Sequence, residues 1–303
     1  ISMQEPPLNR IAVNAFRALF SSCPDFCNLQ PTFYGWVAFL ASEKRRVVIK
    51  FCRQPGRLSQ EIHSVNRLRA MIDCKVPEVL FFGCEEGHEF IVMEWMDGVP
   101  AHELPNDHHA LEVFSEHFTE LLINMHNQPN DGGFEIAENK YDSQITPAFE
   151  IWMSPVLRFV LGSDSPFSAE LKNHFEKLWD ERQRVLAPMN EQPSFVHDDC
   201  HLANVLFDAK TFKVAAILDP ADAGIKHREF DVFHLNDIRP ELDLIARYVA
   251  KYPLAEGYEI RRWYLSLWDD AKHASNIGWY DEQSFIYKLQ KYHSLTKRQD
   301  WMF

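Results

Sequence analysis

Phe195–Leu235, read FVHDDCHLANVLFDAKTFKVAAILDPADAGIKHREFDVFHL, sets His197, Asp199, Asn204 and Asp219 between short apolar runs. No other stretch so restricts what this chain can become. Asn204-Val205-Leu206-Phe207 reads as a short strand and Asp208-Ala209-Lys210-Thr211 as its turn. Lys213–Leu218 then reads as a buried strand that delivers Asp219 at its C-terminal end, where α/β sites collect ligands. The result is a hairpin with polar groups at its outer ends. That arrangement suits magnesium-dependent phosphoryl transfer, which needs a carboxylate to position the attacking hydroxyl and oxygen ligands for the ion that neutralises the phosphates. Asp199 can supply the first, and Asn204 and Asp219 the second. Two blander readings compete. His197, Asp199, Cys200 and His201 could form a metal cluster, but no helical H-E-x-x-H spacing or paired C-x-x-C accompanies them. A plain core hairpin leaves unexplained why these groups gather at this spacing together with Asp231.

At these residues the chain resembles the aminoglycoside phosphotransferase and fructosamine kinase superfamily, whose members share the protein-kinase-like fold. The family's catalytic loop, H-G-D-x-x-x-x-N, is similar to His197-Asp198-Asp199-Cys200-His201-Leu202-Ala203-Asn204, and its metal strand ending in Asp to Ile217-Leu218-Asp219. Asp219-Pro220-Ala221, His227-Arg228-Glu229-Phe230-Asp231, and Tyr252–Tyr258 followed by Arg261 and Tyr264 resemble the fructosamine kinase branch. The resemblance implies an α+β, two-lobed fold. A small antiparallel-sheet lobe with a helix, residues 1–96, binds nucleotide; a larger, mostly helical lobe, residues 97–303, carries catalysis and the acceptor. ATP and Mg2+ are the implied cofactors. Asp199 orients or deprotonates the acceptor hydroxyl, Asn204 and Asp219 hold magnesium, and His197 and Asp231 brace the loop. His201 has no assigned role.

Upstream, Asn9–Phe20 has helical spacing, and Thr32–Ala41 and Arg46–Cys52 read as strands around the charged turn Ser42-Glu43-Lys44-Arg45. The second strand resembles the family's carrier of a phosphate-binding lysine, here Lys50. A flexible ammonium gains directional binding only from an acidic partner, and Glu61, at the start of an expected helix Ser59–Met71, is the candidate. Val76–Gly83 and Glu89–Trp95 read as further strands, and Met96-Asp97-Gly98 resembles the hinge between lobes. By that resemblance the Glu94 carbonyl and the Met96 amide bond the adenine. Helical patterns follow at His108–Asn127, Ser168–Leu186, Leu242–Tyr252, Tyr258–Ile277 and Glu282–Tyr292. Asp131-Gly132-Gly133 reads as a loop, and Pro155 is expected to interrupt any helix over Phe149–Leu161. Trp263, Tyr264, Trp268 and Trp279 read first as core; the alternative puts some of them in an acceptor pocket with Glu256, Glu259, Asp269 and Asp270.

Length and composition limit the remaining options. A chain of 303 residues that is 46% hydrophobic can bury a substantial core over two lobes. No run of about 18 apolar residues offers a transmembrane helix. The net charge of −13 argues against nucleic-acid binding and favours a cationic small-molecule acceptor. Six dispersed cysteines and no visible signal peptide fit reduced thiols and a cytoplasmic enzyme. The start at Ile1-Ser2-Met3 reads as a trimmed or extended N-terminus. Oligomeric state and acceptor identity are not written in the sequence.

The pattern also departs from the family. Gly35 is the lone glycine where the phosphate loop is expected, and Asp198 stands where the family has glycine. Asp198 is expected to add a like charge that raises the pKa of one neighbouring carboxylate, on a backbone lacking glycine's freedom. Cys200-His201-Leu202-Ala203 lacks the tryptophan-serine step of fructosamine kinases, so the acceptor is expected to differ from a ketosamine. The leading reading is an ATP-dependent small-molecule kinase. A nucleotide-binding pseudokinase and a metal hydrolase built on His197 are the alternatives.

Overall fold

The computed structural model describes residues 7–130, 132–220 and 222–298. Asp131 of the expected loop, Ala221 of the Asp-Pro-Ala step and the Ile1-Ser2-Met3 start lie outside the described residues. The chain opens with α1 (Leu8–Phe20), whose apolar side packs on a five-stranded antiparallel sheet: β1 (Phe26–Pro31), β2 (Gly35–Ala41), β3 (Arg46–Cys52), and, after α2 (Arg57–Met71), β4 (Val79–Glu85) and β5 (His88–Glu94). The strand order is β1-β2-β3-β5-β4. Pairing of Lys50 with Ile91 and of Val47 with Glu94 fixes β3 in the middle of the sheet. There its alternation of apolar and polar residues puts Val47, Ile49 and Phe51 in the core and leaves Lys50 on the other face.

Helices dominate the rest. β6 (Val99–Pro100) leads to α3 (His108–His126), the hairpin β7 (Phe134–Ala137) and β8 (Lys140–Asp142), and then α4 (Ile145–Leu161), α5 (Ala169–Asp180) and α6 (Arg182–Leu186). β9 (Ser194–Val196), β10 (Val205–Phe207), β11 (Val214–Ile217) and β12 (Gly224–Lys226) carry the central stretch, followed by α7 (Glu229–Val232), α8 (Leu244–Lys251), α9 (Tyr258–Ile277) and α10 (Glu282–Arg298). β10 and β11 form the expected antiparallel hairpin, to which β6 adds a third strand. β12 pairs with β9, Gly224 facing Val196, so the segment after Asp219 returns beside the strand that feeds His197. This is the two-lobed protein-kinase-like architecture. One core joins α2, α3 and α8 to the central loops, and a second lies among α4, α5, α9 and α10.

Several elements differ from their sequence-based expectation. The expected strand Thr32–Ala41 is a turn followed by β2, and β1 precedes it, unanticipated because most of its residues are exposed and carry no apolar alternation. Pro155 sits inside α4 without ending it. Its side faces solvent, as does Ile151, whose carbonyl loses a partner and is left to water, while Phe149, Met153, Val156 and Val160 hold the opposite face in the core. The expected helix Ser168–Leu186 breaks at Glu181 into α5 and α6, with Ser168 as the N-cap accepting from the Leu171 N–H at 3.2 Å. No helix among the described residues is long and apolar enough to cross a membrane.

Candidate active site

The loop that follows β9 is held from below by one carboxylate. Asp231, fully buried, accepts from the backbone N–H of His197 at 3.0 Å and of Asp198 at 2.9 Å, and pairs with His126 Nε2 at 2.8 Å. Three donors on one carboxylate make removal of Asp231 costly, since each would be left buried without a partner. His197 ties the loop to the hairpin. Its Nδ1 accepts from the Asp199 N–H at 3.1 Å, which leaves Nε2–H to donate to the Leu218 carbonyl at 2.7 Å, next to Asp219. With both ring nitrogens engaged, His197 has none free for a metal, although it lies with Cys200 and Asp231 in a buried group of potential ligands. Burial also pushes the Cys200 thiol up, away from the thiolate a metal needs.

Lys50, Glu61, Asp199, Asn204 and Asp219 all line one cleft of about 260 Å3 between the lobes. Lys50 Nζ bridges Glu61 and Asp219. Burial works against that ammonium, but Asp219 and Glu61 outweigh it and hold Lys50 charged well above its ordinary range. Asn204 Nδ2 donates to the Asp199 carbonyl at 2.9 Å and to Asp199 Oδ2 at 3.2 Å. Its Oδ1 therefore remains to act as an acceptor beside Asp219, whose second carboxylate oxygen is not taken by Lys50. An amide oxygen and a carboxylate oxygen facing one cleft are the hard donors that suit magnesium.

Asp199 is ionised. Burial would raise it, yet a hydrogen bond from His201 and the charge of His234 hold its carboxyl well below the usual range. His201 Nε2 lies 3.3 Å from Asp199 Oδ1. His234, pushed down by burial but lifted by Asp269, Asp237 and Asp199 to about 9, is charged at neutral pH. Sequence reasoning left His201 unassigned and missed His234, which lies 35 residues from Asp199 and reaches it only through the fold.

Asp198 corrects an expectation. It does not raise a neighbouring carboxylate: burial would push it up, but Lys226 at 2.9 Å and Lys272 at 3.3 Å hold it at about 2. Its backbone is left-handed, φ 73°, where most side chains are strained. The two lysines and the Asp231 bond to its N–H fix it there. Gly35 answers to packing: a Cβ at that position would collide with the Phe51 carbonyl oxygen where β2 crosses β3. Tyr34, from the turn before it, lines the Lys50 cleft with the Arg57 guanidinium over its ring.

Glu94 and Met96 do not line that cleft. They border a different cavity together with Trp95, Asp97 and Gly98. The Glu94 N–H donates to the Glu78 carbonyl at 3.0 Å, and its carboxylate accepts from the Glu78 N–H at 2.8 Å. A second cavity, about 460 Å3, opens beside Asp198, and its apolar wall is Trp152, Met153, Phe230, Phe233 and Leu265. Of the acidic residues expected in an acceptor pocket only Asp269 reaches it; Asp270 pairs with Lys288 on α10. Tyr264 and Trp268 are fully buried in the core, as their first reading had it.

This fold and this constellation define a class, the kinase-like phosphotransferases. The profile of the phosphotransferase enzyme family matches residues 37–264, three quarters of the chain, and the protein belongs to that family. It is a small-molecule kinase by that membership. A protein of Escherichia coli (strain K12), called Uncharacterized protein YcbJ, is 21% identical over 238 residues, 76% of this chain and 79% of its own. Among solved structures, a candidate fructosamine-3-kinase of Haemophilus somnus 129PT superposes with a TM-score of 0.72 at 17% identity, over 93% of this chain and 96% of the other. Aminoglycoside phosphotransferase APH(3'')-Id of Streptomyces rimosus ATCC10970, in complex with ADP and streptomycin, gives 0.62 at 18% identity, over 88% and 98%. At these identities the structural likeness establishes fold alone.

Proposed function

We propose that the protein transfers the γ-phosphoryl group of ATP, with magnesium, to a hydroxyl of a small molecule. The observation that carries the reading is the meeting in one cleft of Asp199, the Asn204 and Asp219 oxygens, and the Lys50–Glu61 pair, which come from four separate segments. Glu94 stands opposite Val47, three residues along β3 from Lys50, which at the strand rise is about 10 Å. That separation supports a base bound at the Glu94–Met96 backbone with its phosphates on Lys50. Proteins of this fold have been seen with a nucleotide and a second small molecule together: one with ADP and streptomycin, another, APH(2")-IIa, with ATP and streptomycin.

Asn204 Oδ1 and Asp219 would hold magnesium, which when bound neutralises phosphate charge that otherwise repels the nucleophile. The chain's own groups do the rest. Lys50, kept charged and aimed by Glu61, binds phosphate oxygens. Asp199 accepts a hydrogen bond from the acceptor hydroxyl and points its oxygen at phosphorus. As a carboxylate held below its ordinary pKa it is too weak a base to strip an alcohol in the ground state. It therefore orients the hydroxyl and takes the proton late, as the new O–P bond forms and the bond to the ADP oxygen breaks. The loop's rigidity, set by Asp231 and His197, fixes that oxygen in place.

The test is thermal denaturation with ATP, with Mg2+ and with both, on wild type and Asp219→Ala, followed by ADP release across a panel of hydroxylated acceptors. Mg-dependent stabilisation by ATP that Asp219→Ala loses, and acceptor-dependent ADP release, are expected. No stabilisation under any condition counts against the reading.

A further inference from the structure

The cavity beside the catalytic loop has an uneven distribution of charge partners. Its carboxylates are engaged by cations of the chain: Glu135 by a two-pronged contact from Arg67 at 2.7 Å, Asp222 by Arg57 at 3.6 Å, and Asp269 by Lys272 at 3.4 Å and His234 at 3.6 Å. Glu138 stands exposed at the rim. The position of Lys226 is different. Its one carboxylate, Asp198 at 2.9 Å, is shared with Lys272, and it otherwise faces the ring of Trp152, 5.6 Å from the centroid. An ammonium has three donors. One of those on Lys226 is spent on Asp198, and its side chain, 13% exposed, lines the cavity.

The adjoining wall, Trp152, Phe230, Phe233 and Leu265, is apolar, with the Trp152 and Phe230 rings meeting edge to face at 5.5 Å, and can pack against the carbon skeleton of a ligand. A cationic acceptor entering here would lie against two ammonium groups, with the carboxylates inside the cavity already engaged and Glu138 left at the rim. An acceptor carrying an anionic group would complete the coordination of Lys226 and meet the aromatic wall with its carbon face.

We infer that this cavity selects a compact hydroxylated acceptor bearing a carboxylate or phosphate, anchored by Lys226, in place of the cationic acceptor that net charge alone favours. The inference rests on the phosphotransferase reading above, and it names the acceptor of that same site. Lys226 is the specificity-determining residue. Asp198 is a positioning residue that holds its ammonium at the cavity wall from the left-handed turn that precedes Asp199. The chemistry is unchanged: the acceptor hydroxyl oxygen bonds to phosphorus, its proton goes to Asp199, and ADP departs. Only the group that orients the acceptor is new.

The experiment compares gluconate, glucuronate and glucose 6-phosphate with glucose, glucosamine and kanamycin. Binding is read by calorimetry on full-length Asp199→Asn, and turnover by ADP release on wild type, Lys226→Met and Lys226→Arg. One charge-assisted contact predicts an advantage of about tenfold or more for an anionic probe over its neutral analogue. Lys226→Met is expected to erase that ratio through KM with kcat little changed, and Lys226→Arg to keep it. Tighter binding of kanamycin or glucosamine, or a ratio unmoved by Lys226→Met in a folded protein, overturns the inference and leaves the phosphotransferase reading standing. Absence of turnover with every acceptor, combined with anion-selective binding, overturns the phosphotransferase reading and supports the cavity's selectivity. Failure of every anionic probe to bind overturns the inference outright.

Discussion

Replacing Asp198 by glycine separates two opposing effects at the turn before Asp199. Glycine relieves a left-handed backbone that costs a larger residue about 1–2 kcal/mol. It also strips the carboxylate from Lys226 and Lys272, whose side chains are only 13% and 15% exposed. Removing one partner of a buried pair costs about 3–5 kcal/mol, so the net loss is about 1–4 kcal/mol. Proton linkage reads the ion-pair part alone: a fall from 3.8 to about 2 is near two units, or about 2.5 kcal/mol, close to the lower end of the range for a buried pair. The folded pKa is the depressed one, so this contribution is complete above the unfolded value and disappears as pH falls from about 4 through about 2. Urea denaturation of wild type, Asp198→Gly and Asp198→Asn at pH 7 and pH 3.5 reads both effects. Asparagine tolerates the left-handed turn, so it isolates the loss of charge. Both variants should be less stable at pH 7, with a smaller gap at pH 3.5. An Asp198→Gly protein as stable as wild type would refute the reasoning, because strain would then outweigh the ion pair.

His234 should make stability fall in alkali. Its pKa is raised from 6.5 to about 9, so its stabilisation is complete below the unfolded value and lost as pH rises through about 9; at most this is about 3 kcal/mol. Melting temperature should drop between pH 7 and pH 9.5 in wild type and much less in His234→Gln. Glu61→Gln leaves Lys50 with Asp219 alone and should raise the KM for ATP by about tenfold, measured by initial rates, with a smaller effect on KM for the acceptor. Arg261, buried against Glu229 at 3.0 Å and donating to the Glu256 and Ala255 carbonyls, should cost about 3–5 kcal/mol when changed to Met, read by urea denaturation.

How much was legible follows from how local each signal is. The His197–Asp219 constellation could be read because its groups sit on adjacent short elements whose spacing is itself the geometry. Lys50 and Glu61 could be read because a strand and the next helix carry them. The β10–β11 hairpin and the burial of Tyr264 and Trp268 followed from apolar pattern. What escaped was either unpatterned or distant. β1 has mostly exposed residues and so leaves no alternation to find. Pro155 misled because the letter does not say which face of the helix it occupies, and the solvent face tolerates it. Asp198 looked like a repulsive neighbour of Asp199 because its counter-ions come from Lys226 and Lys272, 28 and 74 residues away. The cavity beside Asp198 takes its aromatic wall from α4 and from α7 and the residue that follows it, and none of it from α9. A net charge of −13 is a property of the whole surface and carries no information about which ammonium faces one cavity.

The measurement closest to the central claim is phosphorus NMR of full-length protein with ATP, Mg2+ and the best acceptor, wild type beside Asp199→Asn. The account predicts one phosphate ester formed for each ADP released, and a rate at least about a hundredfold lower in the variant. An ester formed as fast by Asp199→Asn as by wild type would contradict it.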